Sequence, residues 1–166
     1  SSTDANAYGD LYQWGRAADG HESRTSSTTS TNATSAVPND GNAWDGFFIT
    51  EGSSPYDWLT PQDDNLWQGV SGTNNPCPSG YRLPTEAEWE AERTSWSSNN
   101  AAGAFASPLK LPVAGYRLYS SGSLNNVGSY GNYWSSTVDG TNSRNLLFNS
   151  SSAFMYSNDR ANGLSV

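Results

Sequence analysis

Large aromatic side chains recur along almost the whole of this chain, and what separates them is mostly Ser, Gly, Asn and Thr. Seven Trp and nine Tyr are spread through 166 residues, of which only 34% are hydrophobic. A helix bundle needs sustained apolar stripes at the helical period, and this chain is too polar to supply them. Disordered chains are poor in aromatics, so the spread of Trp also argues against disorder. The expectation is a loop-rich α+β fold in which each buried aromatic removes a large area from water. The length suits a single domain over residues 1–166 with a core of its own.

Charge excludes several function classes. Only 14% of residues are charged and the formal net charge is −8. A nucleic-acid groove needs a basic stripe, and an anionic membrane surface attracts basic segments; neither is present. The acidity is read as solubility. Cys77 is the one cysteine, which rules out an intramolecular disulfide, a CxxC metal site and a paired-cysteine redox site. No stretch reads as a signal peptide or a membrane span.

The clearest local signal is LPTEAEWEAER, Leu83 to Arg93. Thr85 and Glu88 form a capping box, in which each side chain satisfies a free N–H of the helix start. Glu86 and Glu88 favour the positive helix N-terminus, and Trp89 is its one large packing group. Elsewhere the expectations are short elements. Tyr8 to Arg16 is a strand or short helix that packs Trp14 inward, and Ser23 to Asn39 is a polar surface loop. Trp44 to Thr50 returns to the core. Trp58 and Trp67 are expected to be buried and Asp63 and Asp64 exposed. Leu109 to Tyr116 is a strand entry. Arg144 to Phe148 and Ala153 to Tyr156 read as paired strands with Asn149 to Ser152 as their turn. Period-two alternation places Leu146, Phe148 and Met155 on one face and Asn145, Leu147, Phe154 and Tyr156 on the other.

Several segments taken together resemble a known family. Asn75 to Glu90 (NPCPSGYRLPTEAEWE) resembles the core motif of the formylglycine-generating enzyme superfamily. With YGDLYQWGR at Tyr8, LPVAGYR at Leu111, GSYGNYWSST at Gly128 and RANGLSV at Arg160, the chain resembles the Fibrobacter succinogenes major paralogous domain over nearly its whole length. The resemblance implies a C-type-lectin-like fold of the formylglycine-generating branch. It also implies a chain trimmed at both ends relative to its kin.

Domains of this type serve as variable proteins of diversity-generating retroelements, where template adenines, mostly in AAC codons for Asn, are mutated to diversify a C-terminal binding surface. Such products are receptor-binding tips on phage tails or cell surfaces, often as homo-oligomers. The resemblance therefore implies an extracellular, cell-surface or virion setting, a variable region over 115–166, and a protein or glycan ligand on another cell. Mutating AAC adenines never yields Lys, Glu, Gln, Trp or Met. From Leu111 to Val166 there is no Lys, Glu or Gln, and Trp134 and Met155 occur singly, in agreement with that implication.

Each candidate catalytic or metal site has a plainer role. The resembling enzymes bind copper through a pair of cysteines, and here Cys77 has no partner, so oxidase activity is not expected. His21, the one histidine, lies in a Gly- and Glu-flanked loop and reads as a surface residue; no GxSxG elbow accompanies it. Glu86, Glu88, Glu90 and Glu92 read as a solvated, capped helix rather than a glycosidase pair. Asp63 and Asp64 lack the spacing of a calcium loop, and the EPN and WND tripeptides of calcium-dependent lectins are absent. No metal and no cofactor are expected.

The candidate ligand-binding residues are Leu118, Tyr119, Ser129, Tyr130, Tyr133, Asp139, Ser143, Asn145, Leu147, Phe154, Tyr156, Ser157 and Asp159. Tyr amid Ser, Gly and Asn is the composition of antibody paratopes, which gain contact area at low entropic cost. Tyr116, Trp134, Leu146, Phe148 and Met155 are assigned to the core, and Trp14, Trp44, Trp58, Trp89 and Trp134 to the scaffold. Two other readings stay open: a non-variable surface adhesion domain, and an oxidase of the formylglycine-generating type.

Overall fold

A computed structural model describes residues 1–39 and 41–166. Its elements are short, as the composition requires. β1 (Tyr12–Gln13), β2 (Thr28–Thr29) and β3 (Phe48–Ile49) precede α1 (Glu86–Thr94) and α2 (Ala101–Ala106). β4 (Tyr116–Arg117), β5 (Leu124–Asn125), β6 (Gly131–Asp139), β7 (Asn142–Phe148), β8 (Ala153–Asn158) and β9 (Gly163–Leu164) follow. The arrangement is α+β and loop-rich.

The first and last strands meet. β1 and β9 pair antiparallel, Tyr12 opposite Leu164, within a four-stranded sheet of order β1-β9-β4-β5. The longest strands form a separate antiparallel meander, β6-β7-β8. Leu146 lies opposite Met155, Leu147 opposite Phe154 and Asn145 opposite Tyr156. Residues directly opposite share a face, so the two faces are those that period-two alternation assigned. The β6–β7 turn closes at Gly140 with φ of 60°, backbone that favours glycine.

One face of the meander carries a core. Tyr133, Leu146, Phe148 and Ala153 pack there with Trp89 of α1 and Ala104 of α2. The capping box is present: Glu88 N–H donates to Thr85 Oγ1 and Thr85 N–H to Glu88 Oε2. α2 was not expected from the sequence. Asn100 caps it by accepting from the Ala102 and Gly103 amides, and Gly103 leaves no room for a side chain, since a Cβ there would stand 1.8 Å from the Ser98 carbonyl oxygen. Two further clusters centre on Trp44 and Trp58, and on Trp14, Trp67 and Trp134.

The tryptophans do more than fill space. Trp14 Nε1 donates to Ser135 O at 2.8 Å, Trp67 to Asn74 O at 2.9 Å, Trp89 to Trp134 O at 3.0 Å, and Trp134 to Tyr12 O at 2.8 Å. Buried main-chain carbonyls need donors; of these four, one lies in a loop (Asn74), one in the two-residue β1 (Tyr12) and two in β6 at the break in its register with β7 (Trp134 and Ser135). Here the indole N–H groups supply the donors.

Three readings of the N-terminal half need correction. Ser23 to Asn39 is not wholly surface loop: β2 pairs parallel with β3, and Ala33 is buried. Asp64 is exposed but Asp63 is half-buried. His21 is not a surface residue; its exposure is 0%. Its Nε2 accepts the Gln13 amide N–H at 3.2 Å, which leaves the proton on Nδ1, 2.7 Å from Asp19 Oδ1. Sequence proximity to charged residues suggested exposure; those same residues are the partners that permit burial.

Candidate functional site

The meander's other face, opposite Trp89, borders a cavity of about 300 Å³. β7 and β8 send Leu147, Tyr156 and Asn158 toward it, and β6 sends Asn132. The far wall is Tyr116 of β4 with Leu118 and Tyr119 just beyond it, and Asn126 and Tyr130 from the β5–β6 connection. Asp159 and Asn162, between β8 and β9, complete the lining.

The walls are locked to one another. Asn162 accepts the Tyr119 amide N–H at 2.8 Å and donates to Asn158 Oδ1 at 2.7 Å, so one buried amide ties the β4 side to the end of β8. Tyr119 stacks at a tilt on Tyr56, ring centroids 4.9 Å apart. The Tyr130 amide donates to Asn126 O at 3.0 Å, and its carbonyl accepts from Gly115 N–H at 2.8 Å. These bonds fix the main chain at Tyr119 and Tyr130 and the amides of Asn162 and Asn158, and a wall ordered in advance lowers the ordering cost of binding.

No Lys or Arg lines the cavity. Asp159 is its one charged residue; burial raises its carboxyl above the usual carboxylate range. Asn132 is 2% exposed, and its Nδ2 donor meets no acceptor among the described residues. A second cavity, of about 440 Å³, adjoins at Tyr130 and is lined largely by Ser, Thr and Asn, including Ser129 and Ser150.

The thirteen predicted residues separate clearly. Leu118, Tyr119, Tyr130, Leu147, Tyr156 and Asp159 line the first cavity; Ser129 lines the second. Phe154 is 42% exposed and its ring lies 6.2 Å from that of Tyr156, 47% exposed. Phe154 also borders a groove between β8 and α1, with Ala87, Glu90 and Arg93. Asp139 is exposed and 3.5 Å from Arg144. Ser157, half-buried, lies opposite Arg144, away from the cavity.

Three residues are corrected. Tyr133 lies opposite Leu146 and so on the core face, stacked on Phe148 with centroids 5.8 Å apart, its hydroxyl donating to Pro112 O. Asn145 shares the face of Tyr156 but is fully covered, its Nδ2 turned 3.4 Å from Asn132 Oδ1. Ser143 is also fully buried, between Val138 and Asn158 in the meander. Tyr116, assigned to the core, packs half-buried against the Trp14–Trp67–Trp134 cluster and also forms part of the cavity wall. Asn126, Asn132, Asn158 and Asn162 were missed; the density of Asn between residues 125 and 162 was the signal that pointed to them.

A second group of ionisable residues has metal-ligand chemistry. Asp19, His21 and Glu22 hold ligand atoms within 4.8 Å of one another. Both His21 nitrogens are already engaged, however, and Asp19 also pairs with Arg16 at 2.6 Å. This group is a buried structural network: burial opposes it, but the His21 N–H and the Arg16 guanidinium hold the Asp19 carboxyl down at about 2. Cys77 is half-buried, and burial raises its thiol. Among the described residues no helix is long and apolar enough to cross a membrane.

Comparison of the chain with models of protein families, with curated proteins and with solved structures finds no match.

Proposed function

We propose that this chain is a non-enzymatic ligand-binding module with a C-type-lectin-like fold, whose fixed aromatic scaffold presents the β4–β9 face to a receptor. The observation that carries the reading is the tyrosine-walled, asparagine-floored cavity on that face. Small-molecule and receptor sites combine aromatic walls with a few placed polar groups, and tyrosine-rich surfaces bind with little entropic loss. The cavity holds no nucleophile beside a general base of the kind that acyl transfer or hydrolysis requires. The resemblance to the Fibrobacter succinogenes major paralogous domain supports the same reading and extends it. The chain is proposed to be the variable protein of a diversity-generating retroelement, acting at a phage tail tip or cell surface, with a protein or glycan on another cell as its target and self-association as a means of avidity.

The DNA around the gene tests this directly. The expected result is a neighbouring reverse transcriptase and a near-copy of the segment encoding Gly115 to Val166 that differs only at adenines. Differences concentrated on the codons for Leu118, Tyr119, Tyr130, Leu147, Tyr156 and Asp159 identify the cavity as the diversified site. Absence of such a repeat overturns the retroelement reading and makes a fixed adhesion domain the better one.

A further inference from the structure

The lining of the cavity restricts what it can hold, and this inference rests on the ligand-binding reading above. Anions are disfavoured: neither cavity beside Tyr130 is lined by Lys or Arg, and the chain carries −8. A phosphate, a sulfate or an acidic sugar would meet the Asp159 carboxylate with no cation to offset it.

The floor makes two opposite demands. Asn132 lines the cavity, and its Nδ2, itself covered, has no acceptor among the described residues, a cost that a ligand oxygen relieves once the amide turns toward it. The Asp159 carboxylate, partly withdrawn from water, meets no donor among the described residues. Hydroxyl groups suit both demands, since each donates one hydrogen and accepts through its lone pairs. The rings of Tyr130 and Tyr156 offer apolar faces against which the C–H side of a sugar ring packs. The adjoining cavity continues the pattern, with Ser129, Asn149, Ser150 and Ser151 supplying hydroxyl and amide groups.

We infer that the cavity floored by Asn132 and Asp159 binds a neutral oligosaccharide, with Tyr130 as the ridge between two sugar subsites. The polar groups that recognise it come from the protein alone, so binding needs no calcium.

The test is an array of neutral and acidic oligosaccharides probed with the purified chain, followed by calorimetric titration of the strongest neutral binder with and without EDTA. The expected result is selective binding of neutral chains, unchanged by EDTA, with the matching monosaccharide at least about ten-fold weaker because it fills one subsite, a loss of about 1.4 kcal/mol. Tyr130→Ala is expected to weaken binding at least about ten-fold with an unchanged melt, and Tyr130→Phe to retain it, because the ring face and not the hydroxyl makes the contact. Binding of acidic glycans only, or of no neutral glycan, overturns the inference. Loss of neutral-glycan binding on EDTA treatment overturns the calcium-free site. If no glycan binds but attachment to target cells falls with Tyr156→Ala, the glycan inference fails and the display reading stands. If neither glycan binding nor cell attachment depends on Tyr130 or Tyr156, both fail.

Discussion

Trp58 donates its indole N–H to the main-chain carbonyl of Trp14 at 2.7 Å, across 44 residues of sequence. Trp14 in turn donates to Ser135 O, and the Arg160 guanidinium lies over its ring at 4.6 Å. The N-terminal strand, the central loops and the C-terminal sheet are thus tied through one ring system. Trp58→Phe keeps most of the apolar contact but removes the donor together with part of the buried ring volume. It is expected to cost about 1–3 kcal/mol, the penalty of a buried carbonyl left unpaired. Trp96→Phe is the control: that indole donates to the half-buried Glu92 carboxylate, which water can still reach, so the loss is expected to stay below about 1 kcal/mol. Urea unfolding of the two variants measures both, and equal losses would show that packing rather than the hydrogen bond is responsible.

Exposed and core residues alternate along β8 and β7, and substitution should separate them. Tyr156→Ala and Phe154→Ala remove rings that are about half exposed and are expected to change stability by no more than about 0.5 kcal/mol. Tyr133→Ala removes a ring stacked on Phe148 and edge-on to Trp89 and is expected to cost about 3–5 kcal/mol. Thermal melts of the three variants decide it. A lost cooperative transition in Tyr156→Ala would assign that ring to the core.

What the sequence made legible were features whose physical cause is local. The Thr85–Glu88 box lies within four consecutive residues, and the faces of β7 and β8 follow from alternation alone. Features set by distant partners were not legible. Asn162 is indistinguishable in sequence from any loop asparagine until Tyr119 and Asn158 arrive on either side of it. Tyr133 looked like a display residue because it sits amid Gly, Asn and Ser; only its pairing opposite Leu146 puts it inside. Asn145 has the parity of a surface residue and is covered all the same, because alternation assigns a face and does not say what lies over it.

Gly131, opposite Phe148 in β7, lies tight against the core ring of that residue. A Cβ there would stand 2.1 Å from Phe148 Cζ, the ring that stacks on Tyr133. Gly131→Ala is therefore expected to force Phe148 from its place at a cost of about 1–3 kcal/mol. Adding Phe148→Leu, which vacates the clashing ring atoms, should cost less in that background than in the parent chain, a coupling visible in a double-mutant cycle. Additive losses would mean that the backbone, not the ring, absorbs the added methyl.

Two buried ionisable groups give stability opposite dependences on pH. Burial lowers the His21 imidazole to about 4, although the Asp19 hydrogen bond works the other way. The unfolded chain then binds more protons than the folded one between the ordinary histidine value and about 4. His21 therefore contributes stability that is present at neutral pH and lost as pH falls through that window. Burial raises the Asp57 carboxyl to about 6, against hydrogen bonds from Gln62 and Leu59 and the attraction of Arg160. Its contribution is present below the ordinary aspartate value and lost as pH rises through about 6. The two partly cancel between about pH 4 and 6, so the parent chain is expected to show a shallow profile there. Asp57→Asn should steepen the fall in stability on acidification and His21→Gln should flatten or reverse it. Unfolding free energies at a series of pH values across this range test both, and parallel profiles for the parent and the two variants would mean that neither group is held away from its ordinary titration.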